Sequence, residues 1–510
     1  MGLLTALGLA RWGIASVVIE ADDSVCEGSR AACISRRSLE ILSRYGVAGA
    51  FLQKGLPWTR GRSYWGEREV FTFDMPSSEN DRLPPMINLE QYYIEQFLLD
   101  AIDQINAEQP GTINIRWANQ VSSFAQNSQG ISANVANALG SYQINTHWLV
   151  ACDGGQSLIR SQLGLELHGV GYTGRYAIVD IELQSDYPAE RRAWFDPPWA
   201  KGSTILMHKQ PDNIWRIDFQ LAAHQDATTV LQPENVRRFV QTHLDAIGEG
   251  HLGWAPVWSS IYRAGAMTLN SYRHGRVLFA GNSAHAMPIF GVRGLNSGFD
   301  DADNLIWKLA SVVLGQGGEK LLDSYSAERV AAFHTNAQSA MRSTEFMSPP
   351  HRGFELMREA VLSLAGDHAG IAQLVNPRQT SAITYHQSCL STPSETSCVE
   401  IGAPMVDAPL ANGSYISDLL NPNGFTLLVV DGTVQQPQAH PTSPLLRLAH
   451  VPISSHSPML AQPATYLIRP DGHVCAHWGQ CPPVQGSVDA ALAKALCLHT
   501  HHTQGTSNAA

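Results

Sequence analysis

The hydrophobic and polar positions change their period within residues 277–310, and this change is the most informative pattern in the chain. Residues 277–280 form an unbroken apolar run, which is typical of a short strand buried on both faces. The pair Gly281-Asn282 then ends the strand with a turn. Farther along, apolar residues recur three or four positions apart and predict a helix, at Leu295, Phe299, Ala302, Leu305, Ile306 and Leu309.

The residues just before this helix favour a bound ligand at its start. Gly291 and Gly294 have no side chains, so a planar group can come close to the backbone N–H groups of the first turn. The positive end of the helix dipole also favours negative charge at this position. A reduced flavin carries such charge on its pyrimidine ring, and we therefore interpret the segment as a flavin cradle.

The same segment resembles the second FAD-binding motif of the class A FAD-dependent aromatic hydroxylases, which include 3-(3-hydroxyphenyl)propionate hydroxylase and phenol hydroxylase. The matching residues are Gly281, Ala284, His285, Pro288, Gly291, Gly294, Asn296, Asp301, Asn304 and residues 307–310. The resemblance implies cofactor contacts from Asn282, Pro288, Gly291, Gly294, Leu295 and Asn296. It implies packing and helix-start roles for His285 and Arg293.

Two other stretches agree with this resemblance. Asp153, in the run 150–160, matches the family's Asp-Gly motif near the cofactor, and its own chemistry suits a turn and helix cap. Gln156 stands where the family usually has a basic residue. Gln91, which opens an amphipathic run, matches the flavin-contacting glutamine of the family and would otherwise be an ordinary polar residue at a helix start.

The first residues match only part of the family's dinucleotide fingerprint. Gly2 aligns with its third glycine, residues 16–20 predict the second strand, and Glu20 is the acid expected to hold the ribose. Arg30 matches an arginine that reaches toward the cofactor, although a surface arginine is the alternative. The first strand and first two glycines have no counterpart, and we expect a truncated or mis-started form of such an enzyme.

Asn282 is a second departure from the family. The resemblance implies an Asp at this position, which accepts hydrogen bonds from a ribityl hydroxyl of FAD. Asn keeps an acceptor oxygen but loses the charge, so the bond weakens by on the order of 1 kcal/mol. This change alone is too small to abolish flavin binding.

The alternation of patterns predicts an α/β (α+β) protein, with a Rossmann-like FAD-binding domain that lacks its first strand and is interleaved with a β-rich substrate domain. We assign 1–171 and 265–376 to the FAD-binding domain, 172–264 to the substrate sheet and 377–401 to a linker. Residues 402–498 resemble the thioredoxin-like tail domain of phenol-hydroxylase-type members, and 499–510 are expected to be disordered. The predicted strands are 113–117, 131–135, 146–151, 175–183, 203–208, 214–221, 425–430, 464–468 and 473–478, and the long helices are 233–247, 321–346 and 488–498.

The residues that act on the substrate are harder to identify. In the strand 214–221, Arg216 shares a face with Asp218 and Gln220 and is a candidate to attract a substrate carboxylate or a nicotinamide phosphate. The alternative is that Arg216 pairs with neighbouring acids in solvent. His208, on an adjacent predicted strand, is a weaker candidate for deprotonating a ring hydroxyl.

The resemblance implies an FAD-dependent monooxygenase that hydroxylates a phenolic or polycyclic aromatic substrate with NAD(P)H and O₂, through a flavin C4a-hydroperoxide. A flavin reductase or epoxidase on the same scaffold and a non-catalytic remnant without FAD are the alternatives. A net charge of −11, eight cysteines without a C-x-x-C pair and no apolar run of membrane-spanning length favour a cytoplasmic protein with no nucleic-acid partner, no metal site and no membrane span. A homodimer is compatible with the sequence, which leaves the substrate, the choice of NADH or NADPH and the oligomeric state open.

Overall fold

The computed structural model describes residues 1–28, 31–222, 224–376, 379–394, 399–431, 443–455, 457–479 and 483–498. Arg30 and the predicted tail 499–510 lie outside the described residues, as do parts of the predicted linker. The helices are α1 (Gly2–Arg11), α2 (Arg36–Arg44), α3 (Ala48–Lys54), α4 (Gln91–Glu108), α5 (Leu158–Gln162), α6 (Ala227–Val230), α7 (Pro233–Ala246), α8 (Arg293–Val313), α9 (Lys320–Met347), α10 (Arg352–Ala365), α11 (Ala369–Ala372) and α12 (Gln485–Ala495).

The strands of the described residues are distributed over several sheets. In chain order they are β1 (Ser16–Ile19), β2 (Cys33–Ser35), β3 (Leu56–Pro57), β4 (Arg60–Trp65), β5 (Arg68–Asp74), β6 (Met86–Asn88), β7 (Ile113–Arg116), β8 (Gln120–Gln126), β9 (Ile131–Asn137), β10 (Gly140–Thr146), β11 (Leu149–Ala151), β12 (His168–Leu183), β13 (Arg191–Phe195), β14 (Thr204–Lys209), β15 (Ile214–Leu221), β16 (Trp254–Thr268), β17 (Arg273–His274), β18 (Val277–Phe279), β19 (His285–Ala286), β20 (Phe425–Asp431), β21 (Leu446–Pro452), β22 (Ala464–Ile468) and β23 (Val474–Trp478).

The mixed α/β architecture and the long elements predicted from periodicity are confirmed, with ends shifted by a few residues. No element was predicted between β1 and α4, and this part of the prediction is wrong, because the structure has β2 to β6 and the helices α2 and α3 there. These elements are short, and α2 buries Arg37 and Ser38 together with its apolar residues. Its buried face therefore has no simple apolar period in the sequence.

The parallel strands of the predicted nucleotide-binding region form two separate sheets. β1 pairs in parallel with β7. β11 pairs in parallel with β18, which also pairs with β17. Helix α1 packs its apolar residues, Leu4 and Leu7 among them, into one core with Phe299 and Ile306 of α8. This packing places the start of α1 beside the first half of α8.

An eight-stranded sheet forms the predicted substrate region, in the order β19-β16-β12-β15-β14-β13-β4-β5. Strands β4 and β5 come from the range 1–171 and β19 from the range 265–376, so this sheet draws on residues outside 172–264. The domain boundaries themselves stay predictions. One face of the sheet carries Trp215 and Ile217 and packs against Val240 and Leu244 of α7. The opposite face carries polar residues and lies toward the loop that precedes α8.

The last part of the chain forms a four-stranded sheet in the order β21-β20-β22-β23, in which β20 and β21 are parallel and the other neighbours antiparallel. Helix α12 packs Val488 and Leu492 into a core with Leu467 of β22 and Trp307 of α8. This order is compatible with the thioredoxin-like prediction, which stays a prediction.

A buried ionic network joins this sheet to α8 and α9. Arg469, just after β22, donates to Glu328 of α9 at 2.7 and 3.0 Å and is also paired with Asp471. Lys308 of α8 donates to the same Glu328 carboxylate at 2.7 Å, and Trp307 Nε1 donates to Asp471 at 3.0 Å. Burial alone would raise the pKa of Glu328, but Arg469 and Lys308 hold it well below its ordinary value. Each buried charge of this network is thus stabilised by the opposite charges that contact it.

The helices of the described residues were compared with the length and apolar character of a membrane span. None of their helices combines the length and the apolar character needed to cross a bilayer.

We expect Arg469→Met to destabilise the fold strongly, because it leaves the carboxylates of Glu328 and Asp471 buried without their main cation. Removing one partner of a buried ion pair typically costs about 3–5 kcal/mol. The free energy of unfolding from urea denaturation measures this loss. The control is Arg352→Met, whose side chain is 66% exposed in its pair with Glu355, and it is expected to leave the stability unchanged. Equal stability of the two variants would contradict this account of the network.

Candidate active site

The loop before α8 turns sharply so that the first turn of the helix faces open space. Gly291 has φ +86° and Val292 has φ +53°, and the left-handed conformation is a strained one for a β-branched residue such as valine. A Cβ built on Gly294 would meet no atom within 4 Å. Val292, the N-cap residue of α8, makes no side-chain capping hydrogen bond. Among the described residues the space in front of Gly294 is therefore open, and a ligand at this helix start stays a prediction.

The start of α1 and the turn after β18 meet beside this helix. A Cβ on Gly281 would lie 2.9 Å from Met1 Cγ, and one on Gly298 would lie 2.9 Å from Met1 Sδ. A Cβ on Gly2 would lie 3.7 Å from the Cβ of Cys152, which follows β11. The structure thus brings Gly2, Gly281 and the first half of α8 together, with the side chain of Met1 packed between them.

The turn containing Asn282 is fixed by its neighbours, while Asn282 itself is exposed. Ser283 Oγ donates to the carbonyl of Ala151 at 2.6 Å, and Arg160 of α5 donates to the carbonyl of Ser283 at 2.9 Å. Asp153 caps α5, since its carboxylate accepts the N–H of Ile159 at 3.1 Å. The predicted turn and cap role of Asp153 is confirmed.

His285 and Asp301 support this turn from inside the protein. Asp301 accepts the N–H of Gly281 at 3.0 Å, His285 Nε2 at 2.7 Å and Arg329 Nε at 2.7 Å. Burial alone would raise the pKa of Asp301, but Arg329 and His285 hold it well below its ordinary value. The ionised carboxylate therefore fixes the backbone at Gly281, and the predicted packing role of His285 is confirmed.

Asn296 is a positioning residue rather than a free hydrogen-bonding group. Its amide nitrogen donates to the carbonyls of Cys33 at 3.1 Å and Val292 at 2.6 Å. Its oxygen accepts Ser35 N–H at 2.9 Å and Ser38 Oγ at 2.6 Å. These four bonds use all donors and acceptors of the side chain. In this structure the side chain ties β2 and the start of α2 to α8, and a cofactor contact of Asn296 stays a prediction.

The other residues matched to the cofactor make local contacts. Glu20, at the end of β1, accepts the N–H of Asp22 at 3.1 Å. Gln91 begins α4 and donates to Glu95 at 2.8 Å. Pro288 is buried and Leu295 partly buried, and Leu295 packs on the core of α1 and α8. Arg293 is buried, which lowers the pKa of its guanidinium to about 10, and it donates to the carbonyl of Gly291 at 3.2 Å in a helix-start role.

A row of polar side chains crosses the face of the eight-stranded sheet that lies toward this loop. Arg216 is opposite Asp180 on β12 and opposite His208 on β14. Arg191, on β13, continues the row, because its neighbour Arg192 is opposite Met207 on the other face. Tyr176, on the same face, contacts Phe290 of the loop with ring centroids 5.2 Å apart. The row therefore lies beside the loop that leads into α8.

Arg216 is buried, with 5% of its surface exposed, and its Nε donates to Asp218 at 3.0 Å. The alternative that Arg216 pairs with a neighbouring acid is thus borne out, but the pair is buried and not in solvent. Burial lowers the pKa of Arg216, but the carboxylates of Asp218 and Asp180 raise it by more, so that the pKa lies above its ordinary value. Arg216 is consequently a charged group with its own carboxylate partner, which reduces its capacity to bind an anion.

His208 is buried, and neither ring nitrogen has a hydrogen-bond partner among the described residues. Burial lowers its pKa to about 3, so the imidazole is neutral at physiological pH. A group of such low basicity is a poor proton acceptor. We therefore assign to the neutral ring a hydrogen bond to the substrate rather than the removal of its proton.

The sequence did not reveal the other members of this site. Glu90 and Gln210 are buried, and their side-chain oxygens have no hydrogen-bond partner among the described residues. Burial raises the pKa of Glu90 to about 7. Strand β13 with Arg191 was also missed. The signal for this strand was the run Arg-Arg-Ala-Trp-Phe at 191–195. Because successive side chains of a strand point to opposite faces, the two arginines lie on opposite faces.

Glu90→Gln is expected to stabilise the protein at pH 8 and to have no effect near pH 4. Burial raises the pKa of Glu90 in the folded state to about 7, above its value in the unfolded chain. Below the unfolded pKa the carboxyl is protonated in both states, and the stability that this protonation provides is fully present. As the pH rises through about 7 the buried carboxyl ionises and this stability is lost. The gain at pH 8 is roughly 3 kcal/mol in the free energy of unfolding. Urea denaturation at both pH values measures it.

The control for this prediction is Glu108→Gln, an exposed glutamate at the end of α4, the helix that begins directly after Glu90. It should change the stability equally at both pH values. A Glu90→Gln effect that does not depend on pH would show that Glu90 is not a buried acid with a raised pKa.

Comparison with known proteins agrees with this geometry. The chain is 25% identical over 438 residues to a 3-(3-hydroxy-phenyl)propionate/3-hydroxycinnamic acid hydroxylase of Mycolicibacterium smegmatis, with 84% of this chain and 75% of that protein covered. A protein of the same name from Klebsiella pneumoniae is 27% identical, with 71% of this chain and 63% of that protein covered, so the chain matches under two thirds of its length.

The crystal structure of the flavin-dependent monooxygenase PieE, in complex with FAD and substrate, superposes with a TM-score of 0.80. It covers 98% of this chain and 97% of that chain at 19% sequence identity, which establishes the shared fold. The sequence model of the FAD binding domain family matches residues 1–340, which is more than half of the chain. This protein therefore belongs to the FAD binding domain family.

Proposed function

We propose that this protein is an FAD-dependent monooxygenase that hydroxylates a phenolic or polycyclic aromatic substrate with NAD(P)H and O₂. The proposal rests on one observation: the loop before α8 connects the open start of that helix to the polar face of the large sheet. The open start of α8 at Gly294 lies at one end of this loop, and Phe290, within it, contacts the polar face of the large sheet through Tyr176. A flavin at the open helix start would meet an aromatic ring at the polar face.

The residues around Gly294 suit FAD on their own chemistry. The amides of the first turn of α8 and the dipole of a long helix stabilise negative charge on the pyrimidine part of a flavin. The start of α1 at Gly2 offers a second set of amides for phosphate groups. Asn282, exposed at the end of β18, can donate to or accept from a sugar-like hydroxyl.

Bound FAD would supply the redox and oxygen chemistry, which no side chain can supply. The protein residues have other tasks. Neutral His208 can hydrogen-bond a ring hydroxyl, and the ring contact of Tyr176 with Phe290 places apolar surface beside the polar row. The relatives named as hydroxylases of hydroxyphenyl compounds support this assignment. A cytoplasmic location and a homodimer stay predictions from the sequence.

Two measurements test the proposed function. Purified protein should show flavin absorbance near 450 nm, with roughly one FAD per chain after FAD is added. Phenols should then stimulate NAD(P)H oxidation and yield a product that contains one oxygen atom from labelled O₂. Colourless protein after the addition of FAD would favour a non-catalytic remnant. NAD(P)H oxidation that places no labelled oxygen in the product would favour a reductase.

Gly294→Val is expected to weaken FAD binding by at least roughly tenfold, because the added side chain occupies the space in front of the first turn of α8. The dissociation constant from flavin fluorescence titration measures this. A matched control is Gly486→Val, since Gly486 is also the second residue of a helix and faces open space. It should leave FAD affinity unchanged. Unchanged affinity in Gly294→Val would remove this glycine from the cofactor site.

A further inference from the structure

Arg191 is a buried cation to which the described part of the chain offers no hydrogen-bond or ion-pair partner. It has 8% of its surface exposed, and among the described residues it makes no hydrogen bond or ion pair. Burial lowers the pKa of its guanidinium, but an arginine stays charged at physiological pH. An unpaired buried charge is costly to the fold, and buried charges are normally paired. The guanidinium of Arg191 is therefore suited to pair with an anionic group of a bound ligand.

The neighbours of Arg191 do not neutralise it. The carboxylate of Asp218 interacts electrostatically with Arg191, but it accepts a hydrogen bond from Arg216 at 3.0 Å. Asp180 is opposite Arg216 in the sheet and acts on that arginine. Burial raises the pKa of the Cys33 thiol to about 11, so Cys33 is neutral. Arg216 thus has two carboxylates, whereas Arg191 forms no ion pair with any carboxylate of the residues that the structure describes.

The position of Arg191 points to the substrate as its partner. It lies at the end of the polar row, beside His208, whose two ring nitrogens also have no hydrogen-bond partner among the residues that the structure describes. Ala189, two residues before Arg191, packs against the small apolar cluster that contains Cys33, and Val292 at the start of α8 packs against the same cluster. The carbonyl of Cys33 accepts a hydrogen bond from Asn296 of α8. Arg191 therefore lies on the side of the sheet that is next to the start of α8.

We propose that Arg191, and not Arg216, binds an anionic oxygen of the aromatic substrate, either a carboxylate or an ionised phenol. This inference rests on the proposed function, because it names the chemical class of substrate for the same site. The guanidinium offers a planar set of donors that suits a carboxylate in two bonds or a phenolate in one. His208 beside it offers a neutral ring nitrogen to a second oxygen of the same molecule.

The test compares three small aromatic probes on the purified protein with FAD added and without NAD(P)H. Benzoate carries only a carboxylate, 4-nitrophenolate carries only a phenolate, and benzamide is a neutral analogue of benzoate. Isothermal titration calorimetry gives the dissociation constants. The wild-type protein is expected to bind at least one of the two anions roughly tenfold or more tightly than benzamide. Whichever anion it prefers identifies the source of the negative oxygen.

Three substitutions distinguish Arg191 from its surroundings. Arg191→Met should remove the preference for the anion without weakening benzamide binding, and Arg191→Lys should retain part of the preference. The matched control is Arg192→Met, the next residue on the same strand, which stacks 3.5 Å from the Tyr187 ring centroid on the opposite face. It should keep the wild-type preference.

Stability without ligand is a second readout. Because no described residue pairs with Arg191 in the free protein, Arg191→Met should unfold at the same temperature as the wild type or a higher one. A large loss of stability in Arg191→Met, or an anion preference that survives it, would overturn the proposal. So would a wild-type protein that binds benzamide as tightly as both anions. Tight anion binding without any turnover of phenols would instead contradict the proposed function and support the assignment of Arg191.

Discussion

The burial of α8 is the constraint on which the rest of the structure depends. Nearly all of its residues from Asn296 to Ser311 are buried, including several polar and charged ones. A buried polar group without a partner is costly, so each of these residues must find its bonds inside the protein. Asn296 binds β2 and the start of α2, Asp301 binds the turn after β18, and Lys308 joins the network of the last sheet. The helix start is thereby held in one position, with open space in front of Gly294.

The sequence predicted this part of the structure well because its physical signals are local. The apolar run before Gly281, the glycines at 291 and 294 and the helical period from Leu295 to Leu309 can be identified without any knowledge of other segments. The structure shows the corresponding strand, turn and helix. The left-handed conformation of Val292 was not predictable, because valine rarely adopts it and only the surrounding packing imposes it.

The polar row of the sheet could not be predicted in the same way. Arg191, Glu90 and Gln210 look like ordinary surface residues in the sequence, since polar side chains are usually exposed. Their burial results from strands and loops that are distant in the chain, such as β13 beside β4 and β14. Arg216 illustrates the same limit. Its strand face was predicted correctly, but its pairing with Asp218 in a buried site depends on the neighbouring strands, which only the structure shows.

The central claim is that the backbone amides at the start of α8 face the flavin. A crystal structure of this protein grown with FAD tests it most directly. The account predicts that the pyrimidine edge of the isoalloxazine lies within hydrogen-bonding distance of the N–H groups of the first turn of α8, next to Gly294. A flavin bound elsewhere, or a side chain filling the space in front of Gly294 while FAD is present, would contradict the account.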